Sequence, residues 1–119
     1  MRALWLTLGL CLAAGAGVAQ EVATVAQGAI LRGLDKINGQ ASDLDLANGE
    51  MGAFGTLDVE LGECRYPEGN PAGDSYAYLT IREQNGGAVV FSGWMLASSP
   101  ALNALEHARY DIWVLRCKI

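Results

Sequence analysis

Three Asn-Gly steps, at Asn38-Gly39, Asn48-Gly49 and Asn85-Gly86-Gly87, constrain this chain more than any other feature. Asn-Gly supplies the positive φ angles that a tight hairpin demands, and each step lies between segments with strand-like alternation. Thr56 to Leu61 is the clearest of these segments. Leu57, Val59 and Leu61 fall on one face, with Asp58 and Glu60 on the other. If Cys64 is to share the buried face with Leu61, one extra residue must be absorbed, and Gly62 is the natural place for a bulge.

Tyr76 to Arg82 alternates as well, with Ala77, Leu79 and Ile81 inward and Tyr76 and Tyr78 outward. Ala88 to Leu96 and Asp111 to Ile119 are apolar on both faces, as in strands covered on both sides. Ala29 to Ile37 and Gln40 to Leu46 form a weaker pair around the first Asn-Gly. Gln20 to Gln27 reads as an arm, and Pro67 to Asp74 as an irregular connection. Ser99 as N-cap and Pro100 at the first helical position, with Leu102, Leu105 and Ala108 on one face, predict a short helix. The expectation is an all-β domain: a small antiparallel β-sandwich or partly closed barrel of about six to seven strands, with one short helix near the C-terminus.

The first residues read as an address. Met1-Arg2 is a positive start, Ala3 to Ala14 is an apolar run, and Gly17 and Ala19 are the small residues that precede a cleavage site. Residues 1–19 are therefore expected to be a signal peptide and residues 20–119 a single exported β domain. No later stretch of the sequence is long and apolar enough for a helical span, so no membrane span is expected after cleavage. The whole chain carries 8 Lys+Arg against 13 Asp+Glu, net −5. Cleavage removes Arg2 and leaves 7 against 13, net −6. So acidic a domain is not built to displace the counterions of nucleic acid. With 51% apolar and 18% charged residues, the composition is that of a folded chain and not a disordered one.

Cleavage would also remove Cys11, leaving Cys64 and Cys117. Two cysteines in an oxidising compartment allow one intramolecular bridge. A redox pair is the alternative, but no C-x-x-C is present, and a structural disulfide is the expectation. Catalytic constellations do not convince. Ser98 or Ser99, His107 and Asp111 have the residue types of a hydrolase triad, without a G-x-S-x-G elbow. Asp43, Asp45, Asn48 and Glu50 suggest a calcium loop but miss its register, since Ala47 and Phe54 stand where ligands are needed. Asp58, Glu60 and Glu63 are too commonplace in an acidic chain to be read as a glycosidase pair. The expectation is no catalytic residue, no metal and no cofactor.

The aromatic supply is large for a small domain, and Trp94 and Met95 sit in its most unusual stretch, Phe91 to Pro100. Aromatics and Met are what protein interfaces concentrate. Small cores use the same residues, so a core role is the alternative for each of them; Tyr76, Tyr78, Trp94 and Met95 are the candidate interaction surface. The two tyrosines lead, because their strand already has an apolar inner face.

The runs Leu34-Asp-Lys-Ile37, Phe54-Gly-Thr-Leu57, Glu63-Cys-Arg-Tyr-Pro67, Phe91-Ser-Gly-Trp-Met-Leu-Ala-Ser-Ser-Pro-Ala-Leu102, Glu106-His107 and Tyr110-Asp-Ile-Trp-Val114, with Cys117, together resemble one family. It is the alphaproteobacterial family of small exported proteins known as domain of unknown function 2155, and the resemblance covers about residues 29 to 118. Leu96, Asn38 and Ala108 depart from its pattern. The resemblance implies a Gram-negative periplasmic location and transfers no activity. The functional expectation is a non-catalytic periplasmic β domain that binds or stabilises another cell-envelope protein. The alternatives are a small cell-wall hydrolase or hydrolase inhibitor, or a small-ligand-binding barrel.

Overall fold

Leu57–Pro67, the longest strand, organises the fold, which is described for residues 22–119 by a computed structural model. The segment read as a signal peptide lies outside the described residues. In chain order the strands are β1 (Ala23–Val25), β2 (Gly28–Asp35), β3 (Ala41–Ala47), β4 (Met51–Phe54), β5 (Leu57–Pro67), β6 (Tyr76–Glu83), β7 (Val89–Leu96) and β8 (Tyr110–Lys118). β4 and β1 pair in succession with one edge of β5, β6 pairs with its other edge, and β7 follows β6. The second sheet has the order β3-β2-β8. Every pairing is antiparallel.

The all-β, antiparallel expectation holds, with one correction of number: among the described residues eight strands form, not six or seven. The arm read before Gln27 contains β1, and β4 is a four-residue strand; both are too short to show a period of their own and are defined by β5, their partner. Neither sheet path closes on itself, so the arrangement is two open sheets rather than a barrel.

The expected C-terminal helix is absent among the described residues. Residues 98–103 make turns, with the Ser99 amide donating to the Leu96 carbonyl and the Leu102 amide to the Ser99 carbonyl. The connection must carry the chain from β7 in one sheet to β8 in the other. A helix advances only about 1.5 Å per residue, against roughly 3.3 Å for extended chain. Leu105 is buried, but Leu102 is 72% exposed, so the two do not share a face.

One core lies between the sheets. Leu57, Val59, Leu61, Ala77, Leu79, Ile81 and Met95 enter it from the five-stranded sheet, and Ala29, Leu31, Leu46, Tyr110, Ile112 and Val114 from the three-stranded one. Each fully buried Leu or Ile contributes about 1.5–3 kcal/mol relative to exposure. Cys64 of β5 and Cys117 of β8 form a disulfide across this core, with Cα atoms 5.6 Å apart. The β5 register shifts between Leu61 and Cys64, which places the bulge at Gly62 and turns Cys64 inward.

The Asn-Gly steps play two different roles. Asn85 and Gly86 have φ of 63° and 74°, and they turn the β6–β7 hairpin, closed by the Glu83 amide donating to the Ala88 carbonyl at 3.0 Å. Asn38-Gly39 likewise turns the β2–β3 hairpin. Asn48-Gly49, by contrast, joins β3 and β4, which belong to different sheets. It is a crossing and not a hairpin. A second crossing, Ala26-Gln27 between β1 and β2, runs beside it. The Asn48 side chain ties the two together by donating to the Ala26 carbonyl at 2.7 Å and accepting the Cys64 amide at 3.3 Å.

Candidate functional site

Because Ala77, Leu79 and Ile81 point inward from β6, Tyr76 and Tyr78 must point outward. β7 pairs with β6 so that Tyr78 faces Trp94 and Tyr76 faces Leu96. On the other side Tyr76 faces Arg65, which faces Val25 of β1. At the Tyr76 end the outer face of the five-stranded sheet thus carries aromatic and aliphatic side chains on either side of Arg65, with Val25 51% and Trp94 36% exposed. Ala23, Arg65, Tyr76, Trp94 and Leu96 line an open groove of about 300 Å³.

The aromatic groups on this face are held in place. The rings of Tyr78 and Trp94 meet edge to face, with centroids 5.3 Å apart and planes at 77°. The Tyr78 hydroxyl lies 3.1 Å from Ser92 Oγ, and Asn103 Nδ2 donates to the Trp94 carbonyl at 2.8 Å. The Arg65 guanidinium stacks over the Trp94 ring, 5.3 Å from its centroid, and its Nε pairs with the Glu63 carboxylate.

Met95 departs from the expectation. It is 2% exposed, opposite Ala77, and belongs to the core. The run Phe91 to Leu96 has apolar residues at both parities, and only its pairing with β6 decides that Trp94 faces out and Met95 in. The same pairing corrects the reading of Ala88 to Leu96 as a strand covered on both faces: β7 is an edge strand with an open outer face. Two contributors escaped the sequence reading. Arg65 comes into line with Tyr76 only through the bulge, and Val25 lies in the segment read as an arm.

The triad candidates do not converge. Ser98 Oγ donates to Asp74 Oδ2 at 2.6 Å. Asp111 Oδ1 lies 3.6 Å from Lys36 Nζ. His107 Nδ1 accepts the Arg109 amide at 3.0 Å and the Tyr110 amide at 3.3 Å, while Nε2 faces Glu83 Oε1 at 3.3 Å. Both imidazole nitrogens are committed to shaping the entry to β8. Burial opposes ionisation of Asp74, but hydrogen bonds from Ser98 and Ser75 outweigh it and hold its carboxyl below the ordinary range.

The calcium-loop candidates are likewise spent on the fold. Asp43 accepts a bidentate pair from Arg32, Asp45 pairs with Lys118, and Glu50 Oε1 accepts the Ala47 amide. Nearby, the Arg109 guanidinium grips Asp35 with contacts of 2.8 to 3.2 Å. Its hydrogen bonds hold that carboxyl below its usual range.

The family model described as an uncharacterized protein conserved in bacteria (DUF2155) matches residues 29–117. An uncharacterized protein of Rickettsia prowazekii (strain Madrid E) is 31% identical over 87 residues, which cover 71% of this chain and 56% of that protein. The chain thus spans about half the length of that relative. No solved structure matches it significantly.

Proposed function

The chain belongs to the DUF2155 family of uncharacterized conserved bacterial proteins, and within that family we propose that it acts as an exported, non-catalytic, periplasmic β domain that binds another cell-envelope protein. The binding element is the outer face of the five-stranded sheet, centred on Tyr76, Tyr78 and Trp94. One observation carries this reading: Val25 of β1, Tyr76 and Tyr78 of β6, and Trp94 and Leu96 of β7 lie on one sheet face, flanking Arg65 of β5, with Val25 51% and Trp94 36% exposed. Contiguous apolar surface of this kind marks interaction sites in soluble proteins. Tyr and Trp, moreover, supply large contact area with little rotamer entropy to lose.

The alternatives draw less support. A ligand-binding barrel would use its interior, and here the interior is filled by Leu31, Leu57, Leu61, Leu79 and Ile81, each with no exposed surface. A hydrolase would need its nucleophile and base together, and Ser98 and His107 have different partners.

The test is in-cell crosslinking of the tagged protein, comparing wild type with a Tyr76→Ala/Tyr78→Ala variant. The reading predicts one reproducible crosslinked protein that is lost from the double variant, while thermal unfolding changes little. A folded double variant that retains every crosslink contradicts it.

A further inference from the structure

The charges around the aromatic face indicate the chemistry of what docks there. Along β5 the outer face carries Asp58 and Glu60, then Glu63 in the bulge, then Arg65. Arg65 is already paired with Glu63, and Arg82 stands opposite Asp58. Glu60 faces Thr80 on one side and Met51 on the other; Arg82 is its diagonal neighbour beyond Thr80, but among the described residues Glu60 makes no ion pair with it. Two residues along the same face from Thr80 is Tyr78, so Glu60 and Tyr78 are diagonal neighbours, within reach of one long side chain.

The protein itself shows how a cation sits here. The Arg65 guanidinium lies over Trp94 while a carboxylate on the same strand holds its nitrogen. An aromatic face and a carboxylate act together on one guanidinium, which is planar, weakly hydrated and suited to stacking. Tyr78 and Glu60 repeat the pair of residue types one row along, and among the described residues no cation stacks on Tyr78 or pairs with Glu60.

We infer that the face recognises a basic polypeptide segment, whose arginine or lysine side chains pair with Glu60 over the Tyr78 ring while its apolar side chains fill the groove beside Tyr76 and Leu96. The inference rests on the reading of this face as a protein-binding surface and adds the sign of the partner's charge. The net charge of −6 expected for residues 20–119 acts in the same direction: it disfavours a second copy of the chain as the occupant and favours a cationic partner at encounter.

The probe is a twelve-residue peptide of alternating arginine and leucine, compared with its glutamate-for-arginine counterpart. Binding is followed through the Trp94 indole and the Tyr76–Thr80 amides in proton–nitrogen NMR spectra. The arginine peptide is expected to shift these signals, with binding that weakens as salt is raised. Glu60→Gln should weaken it by about two- to fivefold, the range of one exposed ion pair. Equal binding of the glutamate peptide, or shifts confined to other parts of the molecule, would overturn the inference.

The crosslinked cellular protein separates the two claims. If Tyr76→Ala/Tyr78→Ala abolishes the crosslink but Glu60→Gln and salt leave it unchanged, the face binds a partner and the cationic assignment fails. If the aromatic variant keeps the crosslink, the face itself is misassigned.

Discussion

Asn48 accepts the backbone amide of Cys64 at 3.3 Å, so that an exposed side chain in the crossing between sheets fixes the residue anchoring the disulfide. With its other end on the Ala26 carbonyl, one carboxamide joins the β1–β2 and β3–β4 crossings to the β5 bulge. Asparagine is suited to this because it offers a donor and an acceptor at once.

Asn48→Ala should therefore destabilise the fold by about 1–2 kcal/mol, since it leaves a carbonyl and an amide without their partner. Asn48→Asp should fall between the two, because it keeps the acceptor and loses the donor. Urea denaturation, read as a shift of midpoint at unchanged slope, checks both.

Replacing Cys64 and Cys117 together by Ala should cost roughly 4 kcal/mol, the closure entropy of a loop of 53 residues. That is a large share of the stability of a domain this size. Because Cys64 is fully buried and Cys117 nearly so, reductant should act on the folded protein only slowly. Thermal scans with and without reductant after prior unfolding measure the effect.

The Asp35–Arg109 pair predicts an acid limb. Hydrogen bonds from Arg109 lower the Asp35 carboxyl in the folded state, so the folded protein holds fewer protons than the unfolded chain as pH falls. The stability it adds is fully present above about pH 5, the unfolded carboxylate titrating near 3.9. It is lost as pH drops through the lower folded value. Asp43, lowered by its hydrogen bond and charge pairing with Arg32, acts in the same direction. Urea midpoints measured between pH 7 and pH 3 should fall less steeply on acidification in Asp35→Asn than in wild type.

Gly33 lies under the Phe54 ring: a β-carbon built there would stand 2.6 Å from the ring atoms. Gly33→Ala must push Phe54 off this seat and away from its edge-to-face contact with Tyr110. The expected cost is about 1–3 kcal/mol, as for other overpacked sites. A double substitution with Phe54→Leu should recover part of it, which a thermal denaturation series would show.

Much of the two central strands was legible in the sequence. Leu57, Val59 and Leu61, and Ala77, Leu79 and Ile81, alternate without interruption, and the odd spacing of Leu61 and Cys64 marks the bulge. Tyr76 and Tyr78 face out as their period requires. The rest depends on pairing across the chain. β1 has three residues and β4 four, too few to carry a period. Trp94 and Met95 are both apolar, and the register against β6 alone separates surface from core. Asn48-Gly49 has the same local chemistry as a hairpin turn, and only the sheet to which each flanking strand belongs makes it a crossing. Pro100 and its leucines look like a helix start, but the connection has to span the two sheets.

The binding role of the outer face is tested most directly by site-specific photo-crosslinking in the native envelope, with the photoreactive group placed in turn at Tyr78 and Trp94 and, for comparison, at Arg116 on the three-stranded sheet. A discrete protein adduct is expected from positions 78 and 94 and none from position 116. Adducts from position 116 alone, or none from any position, would contradict that role.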